Sequence, residues 1–234
     1  MKRTLRITSR TTSLGAALLC AWFGVAQAQQ MGAPASAGAP PAGVNAPAQP
    51  QAQSGAEATV RQAVEGVTAA INADKSIQAG NRTRINALVD NKIVPFVDPE
   101  RMTERAVGPN WAKASAEQRQ TLIHEFKQLL TNTYAGAFTS YQPDTKIDYK
   151  PTRESGDTAV VRSMVLASGR DPIPIDYYLE KESGGWKLVD LSVYNARLVE
   201  LYKGQFNAAI AQGGVDGLIR DLKTKNGSAA PAKS

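Results

Sequence analysis

Cysteine and histidine are almost absent: the chain has one of each, Cys20 and His124. A thiolate metal site needs several cysteines, and an imidazole-activated nucleophile needs a histidine beside it, so both chemistries lack material. His124 falls with Gln120, Lys127 and Gln128 on the polar side of a helical stretch, which reads as an ordinary surface position. Neither a phosphate-cradling glycine loop nor a G-x-S-x-G elbow occurs. Aromatic residues make up 6% of the chain. After residue 25 no apolar run approaches the roughly 20 residues needed to span a bilayer.

What is present at the N-terminus is an export signal. Lys2, Arg3, Arg6 and Arg10 precede an apolar run over residues 14–25, and Ala26-Gln27-Ala28 is a small-x-small cleavage site. Residues 1–28 therefore read as a signal peptide, which implies secretion. Cys20 lies inside that run, behind Leu19 rather than the small residue that an acylated lipoprotein cysteine would follow. Cleavage after Ala28 leaves a chain without thiols, hence without disulfides.

The formal charge of +6 belongs mostly to the signal. Without its four basic residues, 23 Lys and Arg face 21 Asp and Glu, a formal charge of +2. The charges are interspersed, so a nucleic-acid partner is not motivated. Residues 29–56 contain no charge and are dominated by Ala, Pro, Gln and Gly. Such a segment buries too little apolar area to offset chain entropy and reads as a disordered linker. Residues 57–222 are the expected ordered domain, and residues 223–234 read as a flexible tail.

Within the domain the apolar spacing is helical at first. Val60, Val64, Val67 and Ile71 mark one face of a helix over residues 57–73, and Ile85, Leu88, Val89 and Ile93 one over residues 83–93, stopped by Pro95. Asp98 followed by Pro99 predicts a capped start, and Ser115 with Gln118 fits a capping box. The long helix that follows carries Leu122, Ile123, Phe126, Leu129, Leu130, Tyr134, Ala137, Phe138 and Tyr141 at three- and four-residue steps. So wide and aromatic a face must cover either a sheet or a ligand.

Beyond Pro143 the period becomes two. Residues 146–149, 158–167, 173–180 and 186–193 read as four strands joined by short Ser- and Gly-rich turns, an antiparallel meander. Asn195 then reads as the cap of a helix with Leu198, Leu201, Tyr202, Phe206 and Ile210, ended by Gly213-Gly214 before a last helix over residues 215–222. The expected fold is a single α+β domain: a curved antiparallel four-stranded sheet with helices covering its concave face, of the cystatin or NTF2-like kind. Some cone-shaped folds of this kind are small-molecule enzymes. In such a role Asp176 would pair with Tyr178, or Asp190 with Tyr149. Asp190 shares the alternation of Trp186 and Leu188, which would point it inward. No spacing favours either pair.

Several blocks carry a family likeness. They are Phe96-Val97-Asp98-Pro99-Glu100-Arg101-Met102, then Gly108-Pro109-Asn110-Trp111 leading into the capping box, Gly185-Trp186-Lys187-Leu188-Val189-Asp190, Leu198-Val199 with Tyr202-Lys203-Gly204-Gln205-Phe206, and Gly214-Val215-Asp216-Gly217-Leu218. In this order the chain resembles the periplasmic phospholipid-binding MlaC family, also known as toluene-tolerance auxiliary proteins of ABC-type transport. One link departs: Tyr194-Asn195-Ala196-Arg197 stands where the family usually has a Gly and a Ser. The resemblance implies a non-enzymatic soluble carrier that shuttles phospholipid across the periplasm. Its partners would be an inner-membrane ABC transporter with a lipid-binding ring subunit and an outer-membrane lipoprotein complex. No cofactor and no metal is implied; the phospholipid is cargo.

A diacyl phospholipid has about 30 methylenes at roughly 0.8 kcal/mol each, so exposing both chains would cost on the order of 20 kcal/mol. A carrier must offer a dry cavity near the upper end of ordinary ligand pockets, about 1,000 Å³. The expected cavity lies between the sheet's concave face and the helices. Its expected walls are Ile93, Val97, Met102, Trp111, Phe126, Leu130, Tyr134, Phe138, Val165, Ile175, Tyr177, Leu198, Tyr202 and Phe206. On that reading Tyr134→Glu should lower bound lipid.

Overall fold

The computed structural model describes residues 54–229. The expected signal peptide, residues 29–53 of the expected linker and residues 230–234 lie outside the described residues.

Helix α1, Gly55–Ala73, starts two residues earlier than its charge boundary suggested, because the Ser54 side chain accepts a hydrogen bond from the Glu57 N–H and caps it. Gly55 leaves room for Trp186: a Cβ would stand 3.1 Å from the indole nitrogen, so the ring would have to give way slightly. A short α2, Lys75–Gln78, leads to α3, Arg82–Leu88. The expected single helix over residues 83–93 does not hold its pitch. It widens to a π-turn at Val89–Ile93 and tightens to a 3₁₀ turn at Val94–Phe96. Pro95 is the cause: its ring excludes the ordinary helical path and it has no N–H to offer.

Asp98 caps α4, Pro99–Val107, by accepting from the Arg101 N–H at 2.9 Å. Gly108 ends that helix with a positive φ of 65°. After a 3₁₀ segment, Gly108–Lys113, the predicted capping box of Ser115 and Gln118 opens α5, Ala116–Thr139. The last helix, α6, spans Leu198–Ala229 and is broken at Gly213 and Gly214. Residues 223–229, read from sequence as tail, continue it.

The sheet is an antiparallel meander in the order β1-β2-β3-β4-β5. The strands are β1 Lys146–Ser155, β2 Thr158–Leu166, β3 Ile173–Glu182, β4 Gly185–Val193 and β5 Ala196–Arg197. Among the described residues there are five strands rather than four. Tyr194 and Asn195 both have positive φ, 50° and 63°, and form the two-residue turn that reverses β4 into β5. Asn195 therefore cannot cap α6. The first strand runs past Pro151 because the pairing with β2 slips between Lys150 and Arg153, leaving the proline outside the ladder.

A second slip, between Tyr178 and Leu179, places one extra residue in β4 at Val189. It reverses the alternation. Leu188 lies with Leu179 and Tyr177 on the face toward α1, whereas Asp190 turns with Tyr178 to the opposite face. There Asp190, fully buried, accepts from the N–H groups of Leu191 and Val199 at 2.8 and 3.1 Å and pairs with Arg197 at 2.7 Å. Its carboxylate caps the start of α6 from a neighbouring strand.

Three apolar clusters result. Helices α4, α5 and α6 enclose one, built on Val107, Trp111, Leu122, Phe126, Tyr202, Phe206, Leu218 and Leu222. Phe126 meets Tyr202 and Phe206 edge-on, each at 5.1 Å between centroids. The second joins α1 to the sheet through Ala56, Val60, Ala159, Val161 and Leu179. The third gathers Ile71, Ile77, Ile85 and Leu88, with Phe138 and Tyr141 against them. The broad face of α5 covers other helices, not the sheet.

Candidate functional site

Between the second and third clusters the side chains leave a gap. α1 lays Val60, Val64, Val67 and Ile71 over the sheet, and the opposing face supplies Ile147, Val165, Ile175, Tyr177, Leu179, Leu188 and Leu191. Ile93, Phe96 and Val97 close one side, and Tyr141 and Thr145 one end. The enclosed, partly open cavity has a volume of about 290 Å³.

The amino acids explain the gap. The α1 stripe is mostly Val, a short side chain that cannot reach across to a sheet face also made of Val and Ile. Val64, Val67, Ile93, Ile147, Val165, Ile175 and Leu191 consequently remain only half-buried although they point inward. In the helical cluster, by contrast, Leu122, Phe126 and Phe206 are at most 2% exposed. Close packing is the norm for interiors, so half-buried apolar walls facing one another leave space that an apolar guest could fill.

Local hydrogen bonds hold the frame. The wall segment is pinned to β4 by the bridge of Val97 with Leu188, by the Asp98 N–H donating to the Leu188 carbonyl at 2.9 Å, and by Lys187 Nζ donating to the Pro95 carbonyl at 2.6 Å. α1 is tied to β1 on its other flank. Glu57 accepts from Arg61 at 2.7 Å and from the Thr152 hydroxyl at 3.0 Å, and the Arg61 guanidinium lies 3.8 Å over the Tyr149 ring. Burial pushes the Tyr149 phenol up, reinforced by neighbouring Tyr177 and opposed by Arg61. Burial likewise raises Tyr177. Both stay neutral.

The interior is dry in character. Its threonines hydrogen-bond locally: Thr59 donates to the Gly55 carbonyl, Thr68 donates to the Glu65 carbonyl, and Thr145 accepts from the Gln142 N–H. Among the described residues no charged side chain lines the cavity. The walls can therefore take hydrocarbon and would reject an ionised group.

Of the residues expected from sequence, Ile93, Val97, Val165, Ile175 and Tyr177 line this cavity. Trp111, Phe126, Tyr202 and Phe206 belong to the helical core, with Leu130 packed against it. Met102 is buried in α4, Leu198 is buried at the start of α6, and Phe138 joins the third cluster. Tyr134 is 36% exposed on α5 and away from the cavity walls. Phe126, Leu130, Tyr202 and Phe206 lie elsewhere because the faces of α5 and α6 pack on one another, and Phe138 because it packs on the third cluster. Tyr134→Glu is accordingly expected to leave bound lipid unchanged, as measured by lipid phosphate per mole of protein. Sequence reasoning missed the α1 wall, although its signal, a Val-rich stripe too shallow to fill the space beneath it, was readable.

Of the alternative catalytic pairs, Asp190 is committed to Arg197 and the start of α6. Asp176 and Tyr178 lie on the sheet face away from the cavity.

The chain is similar to known proteins. A family model described as MlaC protein matches residues 61–224. The chain is 25% identical over 169 residues to the intermembrane phospholipid transport system binding protein MlaC of Haemophilus influenzae, covering 70% of this chain and 78% of that one. It is 28% identical over 181 residues to the toluene tolerance protein ttg2D of Pseudomonas putida, covering 75% and 83%. A solved phospholipid-binding protein from Ralstonia solanacearum, in complex with a phospholipid, superposes with a TM-score of 0.72 at 41% identity. That match spans 75% of this chain and 99% of the other. A Val-walled cavity under α1, the ordered blocks from Phe96 to Leu218 and this concordant set of relatives lead to one conclusion: the chain belongs to the MlaC family.

Proposed function

We propose that this protein is a soluble periplasmic carrier of phospholipid, holding acyl chain in the cavity between α1 and the sheet while the head group stays at the mouth. The observation that carries the reading is the cavity itself: an uncharged apolar volume in a domain whose other clusters are filled. The family and the phospholipid-bound relative support it. The N-terminal signal supports export to the periplasm. No described helix is long and apolar enough to cross a membrane, which suits a carrier that moves between membranes. On this reading its partners are the lipid-binding ring subunit of an inner-membrane ABC transporter and an outer-membrane lipoprotein complex. Its role is transfer, without turnover of the lipid.

A volume of 290 Å³ sits at the small end of ordinary ligand pockets, well below what two full acyl chains require. Loading both chains therefore needs the gap between α1 and the sheet to widen. The side chains facing one another across the gap are mostly Val, Ile and Leu, which have no hydrogen bonds to break; the Thr152 bond to Glu57 lies at the start of α1, outside the lining.

Organic extraction of natively purified protein, followed by lipid mass spectrometry, tests the reading. About one phospholipid per chain is the expected yield. Lipid-free protein that also fails to take up phospholipid from vesicles would exclude the carrier.

A further inference from the structure

One polar group sits unexplained beside the cavity, behind its lining residues Val165, Ile175 and Tyr177. Ser163, in the middle of β2, shares a face with Val161 and Val165 and therefore points toward α1. It stands opposite Tyr149 on β1 and Ile175 on β3. The residue is 2% exposed; among the described residues its Oγ completes no hydrogen bond, and the neighbour it can reach is the Tyr177 phenol. A buried hydroxyl left unpaired is unfavourable, and an alanine at the same place would carry no such cost. Diagonally across the β2–β3 ladder lies Tyr177, whose phenol neighbours Ser163 and whose side chain lines the cavity. Tyr177 in the wall is thus backed by a buried serine, whereas the threonines of the lining hydrogen-bond to nearby backbone.

The donor and acceptor inventory narrows what could meet them. Burial keeps the Tyr177 phenol protonated, so it has an O–H to donate. The cavity lining carries no charge to receive a phosphate. Acyl tails have no polar atoms until the ester linkages, where each carbonyl is an acceptor only.

We propose that Tyr177 and Ser163 form a hydrogen-bonding subsite for an ester carbonyl of the bound lipid. The Tyr177 O–H donates to the carbonyl, and the Ser163 O–H donates to the Tyr177 oxygen. Ser163 is a positioning residue: it orients the phenol and strengthens it as a donor. The subsite rests on the phospholipid reading above and adds to it a preference for ester-linked over ether-linked chains. It also sets the depth of the lipid, since the linkage region must come down to β3.

The experiment compares delipidated full-length protein against vesicles of dipalmitoyl phosphatidylethanolamine and of its dihexadecyl ether analogue, which differ in the two carbonyls. Wild type is expected to favour the ester lipid about threefold to tenfold, the size of one hydrogen bond. In Tyr177→Phe the ester-to-ether ratio is expected to fall to about one, and in Ser163→Ala to move the same way by a smaller factor. Wild type with no ester preference overturns the subsite. So does a Tyr177→Phe variant that weakens both lipids equally, which would mean a packing role. A structure of the loaded protein with only water against Tyr177 and Ser163 overturns it as well. Uptake of neither lipid by wild type would remove the carrier reading instead, and so the two failures are told apart.

Discussion

Replacing Ala63 by Trp is expected to strip the protein of lipid while leaving it at least as stable. Ala63 lies on α1 among the cavity walls and is half-buried. In a filled interior, adding bulk costs about 1–3 kcal/mol through strain. Here the indole extends into about 290 Å³ of existing space, so the thermal midpoint should hold or rise by a few degrees. The lipid pays instead: excluding even two methylenes costs about 1.6 kcal/mol, more than a tenfold loss of affinity. Thermal melts and extracted lipid per mole of protein measure the two arms. A large fall in midpoint with lipid retained would show that the space under α1 is neither open nor the lipid site.

Phe126→Ala should do the reverse. Phe126 is 1% exposed and edge-on to both Tyr202 and Phe206 at the centre of the helical core. Large-to-small substitution at such a position costs about 3–5 kcal/mol, and in a domain of this size the midpoint should fall by roughly 6–20 °C. Lipid per folded molecule should be unchanged, because no atom of that cluster reaches the cavity walls. Stability retained with lipid lost would instead make the aromatic cluster part of the binding site. Together the two variants separate the compartment that holds the fold from the compartment proposed to hold cargo.

Much of the local structure was legible because its causes are local. The capping box at Ser115 and Gln118 and the cap of Asp98 before Pro99 are matters of a few adjacent groups, and both stand where they were expected. The meander was readable because turns of two to six residues leave consecutive strands little choice but to pair. What escaped were the irregularities. The slip around Pro151, the extra residue at Val189 and the turn at Tyr194 and Asn195 each depend on a partner strand. The Val189 slip matters most. Alternation alone aims Asp190 at the cavity, and one inserted residue turns it away to cap α6.

The candidate walls were half legible for a different reason. Periodicity shows that a helix has an apolar face, but it does not say what that face meets. Phe126 and Tyr202 looked like the best walls for a lipid because they are large and apolar. Size is what removes them: large side chains on α5 and α6 fill the space between those helices and leave none.

Sequence alone thus determined the scarcity of cysteine and histidine, most of the succession of helices and strands, and the family likeness. Each of these is written in composition, short-range periodicity or motif order. Tertiary structure decided where the emptiness lies. A cavity is a property of surfaces that fail to meet, and only the placement of α1 over β1–β4, with Val facing Val and Ile, shows which pair of apolar faces stops short of contact.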